Sequence, residues 1–399
     1  MNRISRRTIL KTAAAAAATG AVPFPAYAQG EPIRLGILTP LTGAGGNDGP
    51  RMLKAMQAVF EEVNKAGGVL GRRIETVVED DQTNPEAAVR AARKLIEVNK
   101  VPLIMGTWAS AVTAAVAPVC WESKTFIMTV SGADSISLLP HQGFLIRTQP
   151  TSKLQAQAHG DFIAGLGHTR VAVIGIQAPF ALPTKEHLDT TLKSKGGSVV
   201  AHVIYEKDKP TYRSEIDQAM RGNPDALYLN GYAPDTVVLL RDLFRANINL
   251  PKFCQSYAVP QATLDTIPAE VSEGVLTGQP SADIESTAYK SAADRLGAKE
   301  IDSYEAQATD WASLACLTLA KAKDVSGVAL KDNVRKICQG GGDKVYTAVE
   351  GLKAIAAGRE INYEGASGPC DFTDIGDILG CRFRYTRVTK GKLEFLKLV

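Results

Sequence analysis

Strand and helix patterns alternate along this chain in two consecutive sets, and that doubled rhythm restricts the fold more than any single motif. The first set opens with a short apolar strand at 33–38. A helical repeat follows from about 50 to 66, with Met52, Ala55, Met56, Val59, Phe60 and Val63 on one face, and Ala66-Gly67-Gly68 closes it. A strand at 73–79, a helix at 85–99 opened by Pro85, a strand at 102–105, a helix at 110–122 and a strand at 125–128 complete the set. After Pro150 the rhythm restarts, with helices at 152–166, 184–195, 211–221 and 234–246. Strands at 170–174, 198–205, 225–229 and 252–255 alternate with them. Alternation of this kind marks a parallel sheet covered on both faces, so the chain reads as α/β with two doubly wound parallel-sheet lobes.

The C-terminal third breaks the pattern. It reads as helices near 283–296, 303–323, 328–338 and 346–357, a Gly-rich hairpin at 365–383 and a last strand at 393–398. That segment cannot build a third α/β lobe, so it must add to the first two. A chain that leaves a lobe and returns crosses the interface more than once, and those crossings form a multi-crossover hinge.

The N-terminus is an address rather than structure. Arg3, Arg6, Arg7 and Lys11 precede an apolar run from Thr12 to Val22, and Ala26-Tyr27-Ala28 has the small residues of a cleavage site. The stretch Ser5-Arg6-Arg7-Thr8-Ile9-Leu10-Lys11 resembles a twin-arginine export signal, with Ile9 where Phe is commoner. Residues 1–28 are thus expected to be removed after export, leaving a periplasmic chain of about 370 residues, more than one core usually serves. The whole chain holds 45 basic and 42 acidic residues. Four of the basic ones lie in the signal, which leaves 41 against 42. A near-neutral surface provides no electrostatic case for nucleic acid or an anionic membrane.

Six cysteines, at 120, 254, 316, 338, 370 and 381, form no CxxC pair. In an oxidising compartment a Cys370–Cys381 bridge across the 374–377 turn is conceivable, and Cys338–Cys370 is the competing pairing. Cys120 and Cys316 fall on apolar helical patterns and read as buried thiols. The five histidines, His141, His159, His168, His187 and His202, make no metal-like cluster, so neither metal nor cofactor is expected. Gly43-Ala44-Gly45 has Asp48 where a third dinucleotide-site glycine belongs, and Gly340-Gly341-Gly342-Asp343-Lys344 lacks the Gly-Lys-Ser/Thr ending of a phosphate loop.

Six motifs in order carry a resemblance. Glu62-Val63-Asn64-Lys65-Ala66-Gly67-Gly68-Val69-Leu70-Gly71 comes first. Asp80-Asp81 with Pro85, Ala88-Val89, Ala92 and Lys94-Leu95-Ile96 follows, and then Gly106 with Ser110 and Thr113. Phe144-Leu145-Ile146-Arg147-Thr148, Gly231-Tyr232 to Leu240-Arg241, and Gly365 to Pro369 with Asp371-Phe372 and Gly376-Asp377 complete the series. Together they resemble the branched-chain amino-acid-binding branch of the type I periplasmic binding proteins over almost the whole exported chain. The resemblance implies a monomeric, non-enzymatic binding protein that delivers a small ligand to the permease and ATPase subunits of an ABC importer. It also implies lobe one at 31–149 plus 279–382, lobe two at 150–278 plus 383–399, and a ligand held between them.

Ser110 opens a helix directly after a strand, where free N–H groups and the positive helix end favour a carboxylate. The resemblance assigns it the ligand's α-carboxylate, and simple N-capping is the structural alternative. The loop Ser131-Gly132-Ala133-Asp134-Ser135 matches one that presents a backbone carbonyl and a Thr hydroxyl to the ligand, with Asp134 at the Thr position. Asp134 equally suits capping of the next segment. Trp108, Phe180, Tyr232 and Tyr257 are expected to wall the cleft, or else to be core at the lobe edges. Tyr257 falls near the place where amino-acid binders keep a Glu for the ligand's ammonium, and a buried ammonium without a carboxylate costs several kcal/mol. The expected ligand is therefore a carboxylate lacking an amino group, such as an aromatic acid. The runner-up is an amino acid paired with Asp134 or Asp48. A ligand sensor for a signalling partner and an exported α/β enzyme are the rival functions, although no Gly-x-Ser-x-Gly motif appears.

Overall fold

A computed structural model describes residues 30–281 and 284–399. The export stretch and its cleavage motif lie outside the described residues. Five strands, β1 (Ile33–Thr39), β2 (Ile74–Asp80), β3 (Leu103–Thr107), β4 (Phe126–Thr129) and β5 (Leu145–Arg147), form an all-parallel sheet in the order β2-β1-β3-β4-β5. β3 is buried at every position, as a parallel strand covered on both faces must be. The helix Gly49–Lys65 buries the expected stripe of Met52, Ala55, Met56, Val59, Phe60 and Val63. Asn84 caps the next helix by accepting from the N–H groups of Glu86 and Ala87. That helix is α-helical over Pro85–Arg93 and finishes as a π-turn over Lys94–Val98.

The second sheet has seven strands. β6 (Arg170–Ile176), β7 (Ser198–Tyr205), β8 (Ala226–Asn230), β9 (Lys252–Gln255) and β10 (Leu276–Ser281) run parallel. A small separate sheet holds β11 (Asp343–Val345), β12 (Ile361–Gly365) and β13 (Gly368–Pro369). β14 (Arg382–Thr389) and β15 (Lys392–Leu398) then return to the second sheet as an antiparallel hairpin, giving the order β15-β14-β10-β9-β8-β6-β7. The chain thus passes between the sheets after β5, after β10 and before β14. The long helix Ser303–Ala322 packs its buried face into the core of the first sheet, where Trp311 is fully buried.

β10 was not expected from its residues, because Gly278 and Pro280 weaken strand preference. The position of Gly278 explains the choice: a Cβ there would lie 2.6 Å from His159 Nε2. The expected hairpin at 365–383 is reduced to two short pieces, the β12–β13 turn and an antiparallel bridge between Phe372 and Ile378 across the 373–377 turn. Neither proposed disulfide forms, and all six cysteines are free. Cys338 Sγ turns back to the Val334 carbonyl at 3.1 Å, and Cys370 Sγ faces the Gly368 carbonyl. No helix among the described residues is long and apolar enough to cross a membrane.

Candidate functional site

The carboxyl ends of the two sheets face each other, which is where doubly wound folds hold ligands. β3 ends at Thr107, and the helix Ser110–Glu122 starts three residues later. Ser110 is its first residue, so the N–H groups of that first turn have no acceptor within the helix. The Ser110 side chain does not cap the helix. Its Oγ accepts from the Ala133 N–H at 3.1 Å and so ties the helix start to the loop after β4. Arg147 holds that loop from beneath. Its buried guanidinium pairs with Asp377 at 2.6 Å and donates to the Ala133 and Ser131 carbonyls at 2.7 and 3.2 Å.

Between the sheets lies a narrow cavity of ≈ 40 Å³. Trp108, Ser110, Val130, Gly132 and Gln149 line it from one side, and Phe180, Thr184, Tyr228, Asn230, Tyr232, Gln255 and Tyr257 from the other, with Tyr304 at the edge. None of its lining side chains carries a formal charge. The rings touch one another: Trp108 lies 5.1 Å from Tyr232 and 5.6 Å from Tyr257 between centroids, and Phe180 lies 5.2 Å from Tyr232. Asn230 donates to the Thr184 hydroxyl at 2.7 Å, while its Oδ1 and the Trp108 indole N–H are buried without a partner. Tyr228 is steadied from behind by His159, whose Nδ1 is 2.9 Å from the hydroxyl. Burial pushes that imidazole down to about 3, so it stays neutral. A cavity this small holds no more than a few waters, so a larger ligand needs the lobes or rings to part.

Six of the expected site residues meet at this cavity: Trp108, Ser110, Gly132, Phe180, Tyr232 and Tyr257. The other four lie elsewhere. Thr113 sits below the cleft, with its hydroxyl 2.5 Å from Ser131 Oγ and 3.1 Å from Thr129 Oγ1. Ala133 is taken up by Ser110 and Arg147, as above. Ser135 is exposed on the outer side of its turn. Asp134 bridges the two halves instead: its carboxylate is 3.0 Å from His187 Nε2 and accepts from the Lys153 N–H at 3.1 Å.

A model described as "Periplasmic binding protein" matches residues 32–392. The chain belongs to that family. A twin-arginine signal model matches residues 3–23, which marks this binding protein for export to the periplasm. It is similar to the leucine-, isoleucine-, valine-, threonine- and alanine-binding protein of Pseudomonas aeruginosa, with 23% identity over 72% of this chain and 77% of that one. Its fold is similar to the leucine-binding protein LivK of Thermotoga maritima, with a TM-score of 0.79 and 22% identity over 92% and 98% of the two chains. It is also similar to an ABC-transporter solute-binding protein of R. palustris in complex with benzoate, with a TM-score of 0.75 and 18% identity over 92% and 96%. The type I periplasmic binding fold and the branched-chain amino-acid-binding branch expected from the motifs are therefore both borne out. Proteins of this family bind solutes and are not enzymes.

This binding protein has a second compartment beside the first, of ≈ 310 Å³, and Tyr257 and Tyr304 line both. Asp48, Arg51 and Asp302 face it from the first-sheet side, and Gln261, Thr277 and Arg384 from the second. Asp48, the possible ammonium partner in the runner-up reading, lies here, whereas Tyr304, Arg51 and Asp302 were not singled out from sequence. The available signal was Asp302 and Glu305, a capping box that fixes the start of the helix carrying Tyr304.

Proposed function

We propose that this periplasmic binding protein captures a small aromatic carboxylate between its lobes and delivers it to the permease and ATPase subunits of an ABC importer. Lobe one comprises 31–149 plus 284–381 and lobe two 150–281 plus 382–399, closing about the three crossings; the expected bounds at 278/279 and 382/383 are moved so that β10 and β14 stay whole. One observation carries the reading: the cavity is walled by six aromatic rings and lined by no ionised side chain. An α-amino ligand would bury its ammonium there without a carboxylate, at a cost of several kcal/mol. A carboxylate has the first-turn N–H groups at Ser110 and the Trp108 indole N–H as donors. Flat rings find their partners in Trp108, Phe180 and Tyr232. The benzoate bound by the R. palustris relative supports the same class.

A thermal-shift screen of the exported protein against aromatic acids, branched-chain amino acids and aliphatic dicarboxylates tests this. An aromatic acid at 100 times its Kd should stabilise the fold by roughly 2.7 kcal/mol. Shifts confined to branched-chain amino acids would sink the proposal.

A further inference from the structure

The second compartment has one group that the rest of the molecule leaves without a partner. Asp48 is 5% exposed and lines the compartment, yet its carboxylate has no hydrogen bond and no ion pair among the described residues. It directly precedes the helix Gly49–Lys65 and does not cap it. The neighbouring cations are already engaged. Arg51 is held by Asp302 at 2.5 Å and Glu305 at 2.8 Å, and Arg384 by Glu300 at 2.8 Å. Tyr257 and Tyr304 add aromatic rings to the same wall.

We propose that this compartment is a second binding site, for a small organic cation of the alkylammonium class, anchored by the Asp48 carboxylate beside the rings of Tyr257 and Tyr304. A carboxylate next to aromatic rings suits an ammonium group, which gains from both charge and ring faces. The donor set does not suit a bare metal ion. Asp302 is committed to Arg51 and the Glu305 N–H, and no cluster of three metal-ligating side chains occurs among the described residues. The ≈ 310 Å³ volume is at the lower end of small-ligand sites. Because both lobes line it, a cation bound there favours the closed arrangement and should strengthen binding in the neutral cavity by the same factor in both directions.

Protonation supports the geometry. Burial, with Asp302 behind it, raises Asp48 from 3.8 to about 8 against the opposing effect of Arg51. Glu305 adds to the rise, and Glu300 with Arg384 and the two tyrosine hydroxyls face the same space. Without a cation Asp48 is thus protonated at neutral pH, and binding one expels that proton.

Calorimetric titration with ethylammonium chloride, at constant ionic strength and in two buffers of different ionisation heat, tests the site. The wild type should bind with release of about one proton at pH 7, and its affinity should rise roughly tenfold from pH 6 to 7 and about fivefold from pH 7 to 8. Asp48→Asn should weaken binding at least about tenfold and abolish the proton release. Equal binding by the variant, a flat pH profile of the wild type, or no binding would each overturn the proposal. Benzoate titrated into the same samples separates the two readings, because its failure to bind would count against the aromatic-acid cavity alone.

Discussion

Two compartments lie side by side between the lobes, sharing Tyr257 and Tyr304, and they have opposite electrostatic characters. The first is lined by aromatic rings and neutral amides or hydroxyls, and its only ionisable side chains are tyrosines that burial keeps protonated. The second holds Asp48, Glu300 and Asp302 against Arg51 and Arg384. The difference lies in what each excludes. A neutral cavity rejects a lone ammonium because nothing there compensates its lost hydration, whereas a buried carboxylate without a partner attracts one. On the proposals made above, two compartments that share Tyr257 and Tyr304 thus separate two ligand chemistries.

That contrast can be broken by mutation, and the largest effect should come from beneath the neutral cavity. Arg147→Ala strands Asp377 as a buried, unpaired charge and frees the 131–135 loop. It should cost about 3–5 kcal/mol, read as a lowered urea midpoint, with benzoate binding lost. Trp108→Ala should reduce benzoate affinity about 100-fold by calorimetry while changing ethylammonium affinity much less, since Trp108 lines only the first compartment. Equal losses at both would mean that the compartments act as one.

Asp48→Asn sharpens the comparison through pH. Because the folded protein holds the Asp48 proton up to about 8, the stability this provides is full below about pH 4 and is lost as pH rises through 8. The variant should melt with the wild type at pH 4 and about 5–8 °C above it at pH 8.5. The smallest effect belongs to the bridge at the cleft mouth. Asp134→Ala removes a partly exposed contact to His187 and should cost about 0.2–1 kcal/mol of closure, seen as a modest loss of benzoate affinity with ethylammonium binding reduced in parallel.

Much of this architecture could be read from the residues. The helix Ser110–Glu122 starts and ends where its pattern says, and the stripe from Met52 to Val63 is buried as its spacing requires. Local periodicity carries that information. β10 escaped because a central strand tolerates Gly278 and Pro280 only when its partners require close approach, and that depends on His159, more than a hundred residues away. The site divides in the same way. Trp108 and Tyr232 adjoin strand ends, and Tyr232 was expected there from the family motif it matches as well as from its position. Tyr304 arrives from the C-terminal third, and Arg147–Asp377 joins residues 230 positions apart, so no local pattern announces either. Asp134 shows the opposite case, because a loop acid that matches a ligand position instead finds His187 across the cleft.

Under the proposed function, the cavity between the lobes takes an aromatic carboxylate and not an amino acid. Isothermal titration of the exported protein with benzoate and with leucine, under identical conditions, tests it most directly. Benzoate should bind saturably, more weakly in Trp108→Ala, and leucine should give no heat. Tight, saturable leucine binding with none for benzoate would contradict it.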